Sequence, residues 1–488
     1  MMEAKIVNRI EPTLEDQGHP YVGGAWTPNY EEYDATDLES VGEIPKDISG
    51  VYVRNTENPI HTPIGVYHPF DGDGMLHSIH ITDGKASYHN RFVRTKGFHA
   101  EQEAGRSLWA GIAEHPSRSE RPGWGAQGSL KDSSSTDVVI HAGHVVSTFY
   151  QCGEPYLLDP VTLEDRGIAD WGPDEGISAH PKVDLETGEL LFFNYSKKAP
   201  YMHYGIVDRD NKLTHYVPIP LPGPRLPHDM AFTENYSIFN DLPLFWDPEG
   251  LEQGNHAARF HPEMKTRFAI IPRYGSEEDI RWFEAEPTYV LHWMNAYEDG
   301  DEIVLEGYFQ EDPQPKPLEG APPQYAQLMA YVDEHSMKPK LHRWRFNLKT
   351  GETVEERLDD RILEFGCFNR NYQGKKTRYL YSTTTKPGWF IFNGLVKHDF
   401  ETGESTKFDF PDEQYASEPA FVPRVGGTDE DDGYIISFTI DMANDRSECV
   451  LFDAKDIEAG PVCRIALPHR ISSGTHAIWA DSREFEGK

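Results

Sequence analysis

The sequence predicts an all-β chain folded as a β-propeller. Helical periodicity is scarce along its 488 residues. Glycine (41) and proline (36) punctuate it throughout, and short β-rich runs lie between the breaks. One small motif also recurs between strand-like runs. Hairpins repeated in this way through one long chain suit a propeller better than a sandwich.

The strand-like runs are clearest at ELLFFNYS (189–196), EIVLEGYFQ (302–310), TRYLYSTTT (377–385) and GYIISFTID (433–441). The recurring motif is DLETGE from Asp184, NLKTGE from Asn347 and DFETGE from Asp399, with looser versions at Asp159 and Asp208. An Asp or Asn opening followed by a residue that tolerates positive φ is hairpin chemistry. The spacing is irregular, which excludes a strict short repeat. Insertions at 96–129, 240–274 and 310–336 hold the few helix-like pieces and are expected to cap one face. No linker divides the chain, so residues 1–488 read as one domain.

Hydrophobic content of 38% and aromatic content of 12% support a substantial core. A formal charge of −35 argues against nucleic-acid binding, since phosphates would be repelled and no basic run compensates. The four cysteines, Cys152, Cys367, Cys449 and Cys463, form no CxxC pair and suggest a reducing compartment. The N-terminus lacks the apolar core of a signal peptide, and no run nears the roughly 20 apolar residues of a membrane span. The expectation is a cytoplasmic protein, soluble or peripherally attached to a membrane.

Of 22 histidines, most lie beside charged or turn residues and read as solvated. Four differ: His180 in GISAHPKVD, His228 in RLPHDMAF, His292 in TYVLHWMNAYEDG and His476 in ISSGTHAIWA. Each stands at the edge of a predicted strand, and no two are closer than 48 residues. A pair carried on one helix would be three or four residues apart. These spacings instead put each histidine on a different blade, and inner strands of a propeller converge on its axis. That geometry suits an all-imidazole metal site, with ordinary surface or core imidazoles as the other reading; ligand type alone leaves iron, zinc and copper open.

At these residues the chain resembles the carotenoid cleavage oxygenases, which include apocarotenoid-, stilbene- and isoeugenol-cleaving enzymes. GVYVRNTENP (50–59), HPFDGDGMLHSIHI (68–81), SAHPKVDLETGEL, LPHDMAFTENYSIF, HWMNAYEDGDEIVLEG, SEPAFVPR and GTHAIWA follow in the family's order. The resemblance implies a seven-bladed propeller under an α-helical dome. It implies one Fe(II) on the axis, held by His180, His228, His292 and His476, and no organic cofactor. It implies that O2 splits a conjugated C=C bond into two carbonyl products.

Four neutral imidazoles leave the 2+ charge uncancelled, which is costly in a low-dielectric site. Carboxylates one layer out, accepting the remaining ring N–H, would offset it. By family motif Glu364 and Glu418 take two such positions. The third falls at Gln151, where most relatives have Glu. Phenol-cleaving members use a Lys and a Tyr near the cavity; here the Lys position falls at Tyr150, and the Tyr region has Gly111 and Ile112. This favours a carotenoid or apocarotenoid, with a stilbenoid or phenylpropene as the alternative. A non-catalytic polyene-binding propeller and a propeller hydrolase are the other readings. Phe70, Phe149, Tyr150, Trp293, Phe309 and Trp389 are the expected lining of an apolar tunnel. RSLWAGIAEHP (106–116) and DLPLFWDPEG (241–250) are expected to form an apolar dome patch for transient membrane contact.

Overall fold

A computed structural model describes residues 2–15, 18–125, 128–252 and 257–486. Within them the fold is mostly β, in antiparallel sheets, with four short α-helices. Four of the sheets are four-stranded meanders, spanning 137–168, 182–218, 231–285 and 293–357. A ten-stranded sheet contains two further meanders, 364–409 and 420–466, bridged by the strand Gln414–Ala416. The chain ends interlock. Ala477–Asp481 pairs with Gly50–Arg54, placing Trp479 opposite Tyr52. Ser40–Val41 pairs in turn with Pro461–Ala466, near the C-terminus.

Adjacent sheets share their cores, and ELLFFNYS illustrates why that run is apolar throughout. Strand side chains alternate between faces. Leu190 and Phe192 pack with Val138 and Ile140 of the preceding sheet, while Leu191 and Phe193 pack with Phe239 and Ala269 of the following one. Both faces are buried, so the polar half of the usual alternation is missing.

The recurring DxxTGE motifs form one local structure. The Oδ1 atoms of Asp184, Asn347 and Asp399 each accept backbone N–H groups two and three residues ahead. Gly188, Gly351 and Gly403 follow at φ of +74°, +80° and +72°. The looser versions close similarly, with Leu163 and Asn211 at positive φ.

The helices fall where insertions were expected: Lys96–Ala104, Pro248–Glu252, Ala326–Val332 and Glu334–Met337. Residues 126–127 and 253–256 of those insertions lie outside the described residues. The 240–274 insertion is narrower than expected, because Tyr236–Asp241 pairs directly with Thr266–Pro272 inside one sheet. No described helix is long and apolar enough to cross a membrane. Among the described residues of the two segments expected to form an apolar dome patch, most large apolar side chains turn inward, and Ile112 and Leu244 are half-buried at the cavity. Leu108, Trp109, Leu242, Phe245 and Trp246 are all buried, because these loops fold their apolar side chains inward as packing. His19, His61 and His398 are also buried rather than solvated.

Candidate metal centre and cavity

The site arises from a positional rule. The inner strand of each meander begins at or just after one of Asp137, His180, His228, His292, Glu364 and Glu418. His476 directly precedes the C-terminal strand Ala477–Asp481. These strand starts converge, bringing together four imidazoles and three carboxylates from segments far apart in the chain.

The Nε2 atoms of His180 and His228 lie 3.2 Å apart. One nitrogen from each of His180, His228, His292 and His476 lies within 4.8 Å of the others. Nitrogens bound to one ion at about 2.1 Å sit about 3 Å apart at right angles and about 4 Å apart when opposite. The four rings therefore have the spacing of a shared coordination sphere. His292 Nε2 is buried and has no hydrogen-bond partner among the described residues. A metal ion would satisfy it, so the residues present fit the group.

Carboxylates orient three of the rings. Glu364, fully buried, holds Oε2 2.7 Å from His292 Nδ1 and accepts the N–H of Phe365 at 3.0 Å. Glu418 Oε2 lies 3.2 Å from His476 Nδ1 and accepts the N–H of Ala477 at 2.5 Å. Asp137 Oδ2 lies 3.4 Å from His180 Nδ1 and accepts the His180 N–H at 3.1 Å. A carboxylate on Nδ1 keeps the proton there and turns Nε2 toward the centre. Burial, reinforced by neighbouring charge, pulls His180, His228 and His292 well below the usual histidine range, His228 to about 3. At His476 burial pulls down too, but Glu418 and Asp137 outweigh it and its value is raised. Neutral imidazole is the form that binds metal.

Gln151 takes a different part from the expected one. It is buried, lines the cavity beside His228, and its Oε1 has no hydrogen-bond partner among the described residues. The third carboxylate is Asp137, which the sequence reading missed. It sits in SSSTDVVIH, 43 residues from the ring it serves, and nothing local distinguishes it from a strand residue.

Two hollows meet the histidines from opposite sides. One, of about 270 Å³, touches residues that precede them: Leu226 and Pro227, Leu291, and Thr475. Its walls are mainly apolar, with Phe70, Tyr150, Trp246, Phe365 and Phe390 prominent. The other, of about 160 Å³, touches residues that follow them: Lys182, Trp293, Met294 and Ala477. It carries Asp137, Asp229 and Glu418, with Lys182 Nζ 2.7 Å from Asp229 Oδ1.

Of the aromatics expected to line a tunnel, Phe70 and Tyr150 do so. Phe149, Trp293, Phe309 and Trp389 do not. Trp293 packs edge-on to Trp344, Phe309 lies over His342, and Trp389 packs near Tyr21. Phe149 borders a separate small hollow near Trp109. Phe365 and Phe390 take their place. Phe365 stacks on His476 and lies 4.6 Å from the His292 ring, centre to centre. Its φ of +47° is strained for an aromatic residue and costs roughly 1–3 kcal/mol. The bond from its N–H to Glu364 holds it there, so one turn supplies both a ring-orienting carboxylate and an apolar wall.

Residues 26–481 match the protein family described as retinal pigment epithelial membrane protein. The chain is 32% identical to carotenoid 9,10(9′,10′)-cleavage dioxygenase 1 of Phaseolus vulgaris, over 99% of this chain and 94% of the relative. It is equally 32% identical to isoeugenol monooxygenase of Pseudomonas nitroreducens, over 95% and 98%. In structure it resembles a lignostilbene dioxygenase of Pseudomonas brassicacearum, with a TM-score of 0.81 and 27% identity over 96% and 99% of the two chains. A cobalt-substituted Synechocystis apocarotenoid oxygenase gives the same TM-score at 25% identity, over 94% and 98%.

Proposed function

The chain belongs to the carotenoid cleavage oxygenase family, and on that premise we propose that it is a non-heme Fe(II) dioxygenase cleaving a conjugated C=C bond of a lipophilic alkene. One alkene and one O2 give two carbonyl products, so atoms balance without an external reductant. The meanders and their interlocked termini form a seven-bladed propeller in this reading, and the helical insertions form its dome.

The observation that carries the proposal is the convergence of four imidazoles, three of which line an apolar cavity. His180, His228, His292 and His476 would hold the iron, which would activate O2 and the alkene when bound. The rest belongs to the chain. Glu364, Glu418 and Asp137 keep protons on Nδ1 and offset the charge of a divalent ion. Phe365 and Phe390 exclude water and press the alkene toward the centre. Four imidazoles would leave room on a bound ion for the reactants if its coordination were octahedral.

Carotenoids or apocarotenoids are the favoured substrates: Ile112 and Tyr150 line the cavity, and by the resemblance they fall in the regions where phenol-cleaving members carry their Tyr and Lys. Isoeugenol and lignostilbene oxygenases among the relatives keep a phenolic alkene as the second reading. The test is metal analysis followed by incubation in air with a β-apocarotenal and, separately, resveratrol or isoeugenol. About one iron per chain and aldehydes from the polyene support the proposal. Clean cleavage of the phenol alone overturns the substrate choice, and no iron-dependent cleavage of any alkene overturns the reaction.

A further inference from the structure

The cavity is mainly apolar, yet two of the side chains that line it, Glu334 and Gln310, carry buried polar atoms without partners among the described residues. Glu334 opens the short helix Glu334–Met337 and is fully buried. Neither of its carboxyl oxygens has a hydrogen-bond partner among the described residues. Gln310, at the end of the strand Glu302–Gln310, is 1% exposed, and its Nε2 is likewise unpartnered. Both residues line the cavity that meets the histidines. Their neighbours do not serve them. Asp333 is occupied by the N–H groups of His335 and Gly388 and the hydroxyl of Ser336. The Gln310 backbone is taken by Tyr289 and Thr288.

Water can serve these atoms while the cavity is empty. A hydrocarbon that fills it displaces the water and must either bring a polar group or leave them stranded. We propose that Glu334 and Gln310 form a recognition point for a hydroxyl group on the alkene, so that this protein selects hydroxylated substrates over their deoxy analogues. A hydroxyl donates one hydrogen bond and accepts another. It therefore meets a carboxyl oxygen and an amide N–H at once. Burial, with Asp333 beside it, raises Glu334 to about 8. The neutral acid still offers a carbonyl oxygen as acceptor, so the match survives in either protonation state.

This inference rests on the alkene-cleaving reading above and names its substrate class. A ring hydroxyl of an apocarotenoid and the hydroxyl of a phenolic stilbene share the required chemistry, and the test separates them. Iron-loaded protein is given two matched pairs: 3-hydroxy-β-apocarotenal with β-apocarotenal, and 4-hydroxystilbene with stilbene. Cleavage is measured in air as kcat/KM, and binding is measured under nitrogen as Kd from ligand absorbance or fluorescence.

In at least one pair the hydroxylated member is expected to be favoured by about tenfold to a hundredfold. The pair that discriminates identifies the source of the hydroxyl. Glu334→Leu should collapse that ratio to below about threefold, and Gln310→Leu should lower it in part. Glu334→Gln, which keeps a donor and an acceptor, should preserve most of it and guards against a folding artefact. No discrimination by the unmodified protein in either pair, or a ratio that survives Glu334→Leu, overturns the inference. Glu334-dependent binding of the hydroxylated member without cleavage of any alkene would uphold the inference and reject the reaction.

Discussion

The two hollows that meet the four histidines differ in kind. On the side of the residues preceding them, Phe70, Trp246, Phe365 and Phe390 make a mainly apolar space of about 270 Å³. On the side of the residues following them, Asp137, Lys182, Asp229 and Glu418 border a space of about 160 Å³. The second adjoins a larger polar hollow of about 520 Å³, sharing Val183, Arg370, Phe421 and Trp479 with it. One ring of strand starts thus separates a compartment for a lipophile from one for charge. Of the carboxylates that orient the imidazoles, Asp137 and Glu418 border the polar side, while Glu364 is fully buried and burial pushes its carboxyl well above the usual carboxylate range. A hydrocarbon is confined to the other side, where each polar atom left without a partner opposes it.

This contrast can be broken at several points. The largest effect belongs to the shared ring itself. His292→Ala removes a ligand common to both hollows and should abolish metal retention, read as metal per chain after gel filtration; retention with full activity would reject the site.

Next come the walls, where the two sides should fail differently. Phe390→Ala on the apolar side should cost about 3 kcal/mol in denaturant unfolding, through lost packing and an unfilled space. Lys182→Met on the polar side should cost a similar amount, about 3 kcal/mol, by leaving the buried Asp229 carboxylate without its cation. The two separate in double variants. Adding Asp229→Asn should recover much of the Lys182→Met loss and none of the Phe390→Ala loss. Recovery in both or in neither would erase the distinction between the compartments.

A smaller effect is expected from Glu364→Gln. It keeps the shape but replaces the carboxyl acceptor beside His292 Nδ1 with an amide, and should weaken metal affinity by about 10- to 100-fold in a chelator titration. The smallest belongs to Gln151→Glu. Asp137, Glu364 and Glu418 already orient three of the rings, so a further acid on the apolar side should change metal affinity by less than about threefold.

How much of this could be read from the sequence depended on whether the signal was local. The β-rich character was legible because strand alternation and the DxxTGE turns are encoded within a few residues. The four histidines were legible because each is flanked by apolar or small residues at a predicted strand edge. Glu364 and Glu418 came only through family motifs. Asp137 was not legible, since its role depends on a histidine 43 residues away. The cavity lining was half legible for a geometric reason. Trp389 and Phe390 are adjacent, as are Phe149 and Tyr150, and in each pair one side chain faces the cavity while its neighbour does not. Aromatic content marks such a segment but not the residue within it. Glu334 and Gln310 were illegible, because an acid on a short helix and an amide at a strand end look solvated until the fold buries them.

X-ray absorption at the iron edge of the Fe(II)-loaded protein tests the central claim most directly. Imidazole rings give a distinct outer-shell pattern, and the account predicts four of them, with nitrogen at about 2.1 Å. Three or fewer imidazoles, or a carboxylate bound to the metal in place of one, would contradict it.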